Sequence, residues 1–196
     1  YNAGVATVTD STLTANQAHG GDGGSHGVGG NGVGAGIWNV GNLDVSHSRF
    51  TDNQSLGGRL GNAGSASFPF LRGNGAAAGI YNEANLTVSH TIFANNQVFG
   101  GAGYAGIPGG AGNGAAILTS AEKGAPAANA TISDSTFADN HAFGGAGGVR
   151  AAGGSAAGGA ILNDNCTLTL SHTIFSDNQA TGGTGGMGGA GGFSTG

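Results

Sequence analysis

The chain has 196 residues, of which 45 are Gly and 3 are Pro; charged residues make up 8% and the net charge is -5. So much Gly excludes a helical globule, since each interior Gly costs a helix on the order of 1 kcal/mol relative to Ala, and recurrent Val, Ile, Leu and Phe at low net charge argue against disorder. The basic residues Arg49, Arg59, Arg72, Lys123 and Arg150 neither cluster nor alternate with aromatics, which excludes a phosphate-tracking surface and nucleic acid as a partner.

In chain order, Tyr1-Asn2 matches the later Tyr81-Asn82 and is followed by ATVTDSTLTANQ (Ala6 to Gln17). A Gly-rich link with His19, Asp22 and His26 leads to GAGIWN, ending at Asn39, and then NLDVSHSRFTDNQ (Asn42 to Gln54). The pattern returns as AAGIYN, ending at Asn82, with NLTVSHTIFANNQ (Asn85 to Gln97). It returns again as GAAILT (114 to 119) with NATISDSTFADNH (Asn129 to His141), and as GGAILN, ending at Asn163, with TLTLSHTIFSDNQ (Thr167 to Gln179). The closing Asn falls at 16, 53, 96, 140 and 178, so the spacings are 37, 43, 44 and 38 residues. A near-regular period of this size is the signature of a solenoid.

Leu86 and Val88 alternate with Thr87 and Ser89, the period of a half-buried strand. Asp10, His47, His90, Asp134 and His172 then break the alternation with residue types that tolerate a left-handed backbone, which predicts a bend. After it, Leu13, Phe50, Phe93, Phe137 and Phe175 turn inward. Each repeat thus predicts three short strands. None can bury its apolar face alone, but equivalent strands stacked about 4.8 Å apart can. The expected fold is all-β, a right-handed parallel β-helix of about five rungs forming one solenoid, with repeats at about 1–36, 37–79, 80–116, 117–160 and 161–196.

The expected internal ladders are Ile37, Ile80, Ile117 and Ile161; Val8, Val45, Val88, Ile132 and Leu170; the Phe file; and Asn16, Asn53, Asn96, Asn140 and Asn178 bonded amide to amide. The links carry Gly-Gly-x with a period of three, which fits polyproline-II-like side excursions. They are expected either as a second layer, as loose surface loops, or as an extra rung that partly buries Val28, Val33, Phe99, Tyr104, Ile107 and Phe143.

The GGA[ILV] block, complete from Gly158 to Ile161, is paired with a downstream FxxN in FTDN, FANN, FADN and FSDN. This pairing resembles the passenger repeats of chlamydial polymorphic outer-membrane proteins and, more broadly, Gly-rich right-handed β-helix repeat proteins. The resemblance implies an exported, surface-exposed region used in adhesion or as an envelope component, with no catalytic residues to carry over.

Chemistry-bearing residues are sparse. Asp52, Asn95, Asp139 and Asp177 share one repeat position, as a turn signature does and a unique catalytic carboxylate does not. His47 and His90 on adjacent rungs are the only candidates for a metal, and no cofactor is expected. Asp22 does not recur as calcium-binding Gly-x-Gly-x-Asp repeats require, and Lys123 falls in an insertion read as a solvated loop. Single Cys166 permits no internal disulfide. No apolar run reaches the ~20 residues of a membrane span, and any signal peptide has been removed. Asn85, Asn129 and Asn165 are each followed two residues later by Thr, giving possible glycosylation sites in a row.

The sequence reading is a structural or adhesive module, extracellular or at the cell surface, an excerpt or stacking unit of a longer assembly. Its partners are copies of itself end to end or a host or envelope surface. One alternative is a polysaccharide-processing β-helix enzyme. The other is an ice-binding protein, suggested by the outward column Thr7, Asp44, Thr87, Thr131 and Thr169 with Ser46, Ser89, Ser133 and Ser171 beside it.

Overall fold

The structure, a computed structural model, describes residues 1–25, 27–59, 61, 73–121 and 127–196. Five sheets run along one axis, and every strand pairs in parallel with its equivalents one repeat away. The first sheet holds Gly32–Val33, Gly75–Ala76, Gly112–Asn113, Ala156–Ala157 and Ser194–Thr195. The second holds Ile37–Asn39, Ile80–Asn82, Ile117–Ser120 and Ile161–Asp164. The third, with the longest strands, holds Val5–Thr9, Asn42–Ser46, Asn85–Ser89, Asn129–Ser133 and Thr167–Ser171. The fourth holds Thr12–Thr14, Arg49–Thr51, Ile92–Ala94, Thr136–Ala138 and Ile174–Ser176. The fifth holds Gln17–His19, Gln54–Leu56, Gln97–Phe99, His141–Phe143 and Gln179–Thr181. The chain is an all-β parallel solenoid.

A rung therefore has up to five strands, not the three expected from the hydrophobic pattern. The two extra strands are short: one bears Ser55, Val98 or Ala142 inward, and the other is a two-residue strand that begins with Gly or Ala on four of its five rungs. They hold the narrow side of the cross-section, where Ala78, Ala115, Ala142, Ala156 and Val98 pack together. The wide side is filled by Leu43, Leu86, Val45, Val88, Ile132, Ile80, Ile117 and the Phe file. The Phe and Ile columns stack like on like, whereas Ala130 stands between Leu86 and Leu168 in its column.

The corners are set by single left-handed residues. Asp10, His47, His90, Asp134 and His172 have φ between 45° and 49°, as the bend expectation required. A second set, Ala15, Asp52, Asn95, Asp139 and Asp177, has φ between 53° and 57° one residue before the laddered Asn. Between the first and second sheets the equivalent residue is Gly34, Ala77, Gly114 or Gly158, at φ 60°, 44°, 60° and 62°. Ala77 is therefore the strained member of that column, because an L side chain in this region crowds its own backbone.

Among the described residues the Gly-rich links form a hydrogen-bonded layer rather than loose surface loops, and Val28, Val33, Phe99, Ile107 and Phe143 are partly buried there while Tyr104 is exposed. The third, fourth and fifth links run out, turn and return. The turn is closed by Ile107 N to Tyr104 O at 2.7 Å, and by Ala151 to Gly148 and Gly189 to Gly186 in the next two links. Across the hairpin, Gly110 N donates to Gly101 O, Gly154 to Gly145 and Gly192 to Gly183, each at 2.8 Å. Between rungs, Gly100, Gly103, Gly106, Gly109 and Gly112 donate to Phe143, Ala146, Val149, Ala152 and Ser155. The donors recur every third residue, the period of a polyproline-II strand. Returning limbs also accept from the next outgoing limb, as in Gly145 N to Gly110 O at 2.9 Å and Gly183 N to Gly154 O at 2.8 Å. Such packing leaves no space for a side chain at the glycines where two limbs meet: a Cβ on Gly154 would fall on the Gly110 carbonyl oxygen.

Candidate functional site

The amides of Asn16, Asn53, Asn96, Asn140 and Asn178 form one chain, each Nδ2 donating to the next Oδ1 at 2.8–2.9 Å. The second N–H of Asn53, Asn96 and Asn140 goes to the Leu13, Phe50 and Phe93 carbonyls, and Asn178 donates to the Phe137 carbonyl. Each Oδ1 from Asn53 onward also accepts a backbone N–H from the preceding rung's Asn. Asn53, Asn96 and Asn140 thus have every amide donor and both acceptor positions occupied while fully buried. Phe50, Phe93, Phe137 and Phe175 stack with centroids 4.8–5.0 Å apart and planes within 15°. Ile37, Ile80, Ile117 and Ile161 are register partners in the second sheet.

Two further ladders have no counterpart in the sequence reading. Asn2 donates to Asn39 at 2.8 Å and Asn39 to Asn82 at 2.7 Å, while Asn39 also bonds both polar groups of Gly41 and so holds the corner. Thr119 replaces Asn at the next rung, where the corner carries a seven-residue insertion relative to Asn82–Asn85, and its buried hydroxyl has no partner. The second ladder is hydroxyl-based. Ser11, Ser48, Thr91 and Ser135 each bond the carbonyl two residues back. Ser48, Thr91 and Ser135 also accept a backbone N–H from the previous rung. The recurrence of Ser or Thr after each bend residue was the signal available for it.

His47 and His90 stack face to face, with centroids 4.8 Å apart and planes at 6°. Parallel rings at that separation do not aim their nitrogens at one ion held about 2 Å from each. Among the described residues, no three His, Cys, Asp or Glu side chains converge. His172 Nδ1 lies 3.8 Å from Asp134 Oδ1 on the exposed surface. Asp22 caps the Gly layer by accepting from Arg59 N at 2.8 Å, and His19 bonds Gln17. His26, Arg72, Glu122 and Lys123 lie outside the described residues.

The three Asn-x-Thr sites do not form one row. Asn85 and Asn129 are register partners, Asn129 Nδ2 donating to Asn85 Oδ1 at 3.2 Å as Asn85 Nδ2 donates to Asn42 Oδ1 at 2.9 Å. The partner of Asn129 on the last rung is Thr167, and Asn165 sits in the preceding corner at φ 53°. That corner is one residue longer than Asn82–Asn85, which shifts Asn165 out of line.

Outside the bend between the first and second sheets runs a groove that the sequence reading missed. Its floor is Val33, Ala76, Tyr81, Leu118 and Leu162. Asn31, Asn74 and Asn113 lie along one side, and Ser120 and Asp164 along the other. Toward the first rung the floor column continues as Trp38, 38% exposed, and Tyr1, 80% exposed. The three rings meet edge to face, 5.4 Å from Tyr1 to Trp38 and 5.9 Å from Trp38 to Tyr81. The indole N–H donates to Glu83 Oε2 at 2.7 Å, which fixes the ring. Asn31 and Asn74 use their Oδ1 to accept Asn74 N and Ala111 N at 2.9 Å, and no hydrogen bond from their Nδ2 groups is made to a described residue. From one rung to the next these residues lie 37 to 44 positions apart, and only register aligns them.

No family model matches the sequence, and neither a curated protein nor a solved structure is significantly similar to it. No helix among the described residues is long and apolar enough to cross a membrane.

Proposed function

We propose that the chain is a structural or adhesive solenoid module that works outside the cell or at its surface and stacks end to end with copies of itself. The observation that carries this reading is the Gly layer. Among the described residues, the excursions that could have been free loops are bonded rung to rung, which supports a stiff rod. The GGA[ILV] and FxxN pairing, which resembles the surface-exposed passenger repeats of chlamydial polymorphic outer-membrane proteins, adds support for export and adhesion.

On the last rung Phe175 and Leu170 are 45% and 44% exposed, whereas Phe137 and Ile132 beneath them are buried. With Ile161 and Leu168 they make an apolar shelf of the shape that one more rung would cover. Exposed strand edges and apolar shelves favour continued stacking. Electron microscopy of concentrated protein is expected to show end-to-end filaments. A monodisperse single-length rod, confirmed by light scattering, would rule out self-stacking and leave adhesion by the isolated module.

A second reading is favoured by the third sheet. Its outward columns of Thr7, Asp44, Thr87, Thr131 and Thr169, and of Thr9, Ser46, Ser89, Ser133 and Ser171, are held in register on five-residue strands. A regular hydroxyl array of this kind can order water. Thermal hysteresis that disappears in Thr87→Tyr would establish ice binding; freezing-point behaviour no different from an equimolar inert protein would remove it. The polysaccharide-processing reading has weaker support, because Asp52, Asp139 and Asp177 are each the left-handed residue of a corner.

A further inference from the structure

We infer that the groove beside Trp38 and Tyr81 binds a linear, uncharged glycan lying along the rod axis. This rests on the adhesive reading above and names the ligand class of that surface. The floor supplies flat, partly exposed aromatic and aliphatic surface, while the sides supply amide N–H groups and carboxylate or hydroxyl oxygens. A pyranose ring has the complementary distribution: C–H bonds on its faces and hydroxyls around its edge. A peptide strand would instead seek unpaired backbone groups, but here the sheets' own ladders occupy them. The groove encloses about 240 Å³. That is room for about eight waters at ~30 Å³ each, the scale of a sugar ring rather than of a protein domain.

Charge narrows the class further. Asp164 lines the groove, Glu83 holds the indole above it, and no lining residue is basic. Uronate or sulfated chains would be repelled, and a neutral chain would not. Preorganisation also favours binding: Trp38 is fixed by the Glu83 bond and two edge-to-face contacts, so little rotamer freedom remains to be lost when a ring stacks on it.

Trp38 is the only Trp in the chain and stacks edge to face on Tyr81 at the end of this groove, so its fluorescence reports on an occupant that reaches that ring. The full chain is titrated with hexasaccharides of the neutral β-1,4-glucan, β-1,3-glucan, N-acetylated chitin and α-1,4-glucan series, and with hexagalacturonate. At least one neutral series is expected to shift the emission saturably, and hexagalacturonate is expected to leave it unchanged. Tyr81→Ala should weaken binding about three- to tenfold, the range of one aromatic contact, and Thr131→Ala on the third sheet should not weaken it. Trp38→Ala, read by calorimetry and checked for fold by circular dichroism, should weaken it similarly. The inference is overturned if no neutral series perturbs Trp38, if hexagalacturonate binds as well as the best neutral chain, or if Thr131→Ala costs as much as Tyr81→Ala. Each of these outcomes leaves rod stacking, read by microscopy, untouched.

Discussion

Asn96 shows why a buried polar residue can be the most constrained position in an apolar tube. Its amide serves Asn53, Asn140, the Phe50 carbonyl and the Asn53 backbone N–H together. Asn96→Ala would leave several buried groups without partners at about 1–3 kcal/mol each. The expected loss is at least about 3 kcal/mol, measured as a lower midpoint in urea unfolding. Thr119 is the opposite case. Its hydroxyl is buried and unbonded, so Thr119→Val keeps the shape and removes an uncompensated desolvation. A gain of about 1 kcal/mol is expected in the same measurement, and an equal or lower midpoint would mean that the hydroxyl has a partner.

At the scale of elements, the Gly layer and the sheets stand on different physics. The sheets bury apolar columns, whereas the layer is glycine where its limbs meet and holds by backbone bonds at every third residue plus close limb-to-limb contact. Gly154→Ala puts a methyl group on the Gly110 carbonyl and must separate two limbs. Overpacking of this kind costs about 1–3 kcal/mol. Faster amide exchange and protease cleavage within residues 144–155 are expected, while the sheets stay protected. Ala77→Gly is expected to stabilise by about 1 kcal/mol, because its equivalents Gly34, Gly114 and Gly158 hold the same left-handed conformation without a Cβ. Thermal melting checks it.

For the whole molecule, equal register across repeats means that one rung can be removed without changing how its neighbours meet. Deleting residues 80–116 brings Ile117 to follow Gly79 and places Ile117 over Ile37, with Phe137 over Phe50. The shortened chain is expected to keep its β-sheet circular dichroism and to melt at a lower temperature, since solenoid stability is close to a sum of rung and interface contributions. Collapse to an unfolded chain would mean that the columns depend on contacts beyond nearest neighbours.

The repeat made the solenoid legible, because like residues at a constant phase can bury an apolar face only by stacking. Asp or His at the bends and Asn at the corner likewise carried their backbone roles in their residue types. What the sequence left open was local and pattern-free. Two- and three-residue strands of Gly, Ala and Gln lack a hydrophobic alternation, and Asn165 read as equivalent to Asn129 until a one-residue-longer corner displaced it. The ordering of the Gly links and the groove of Trp38, Tyr81, Leu118 and Asn74 were decided by tertiary structure alone. Both depend on which residues of different rungs come to lie side by side, and that is fixed by the register of the stacked sheets rather than by any stretch of sequence.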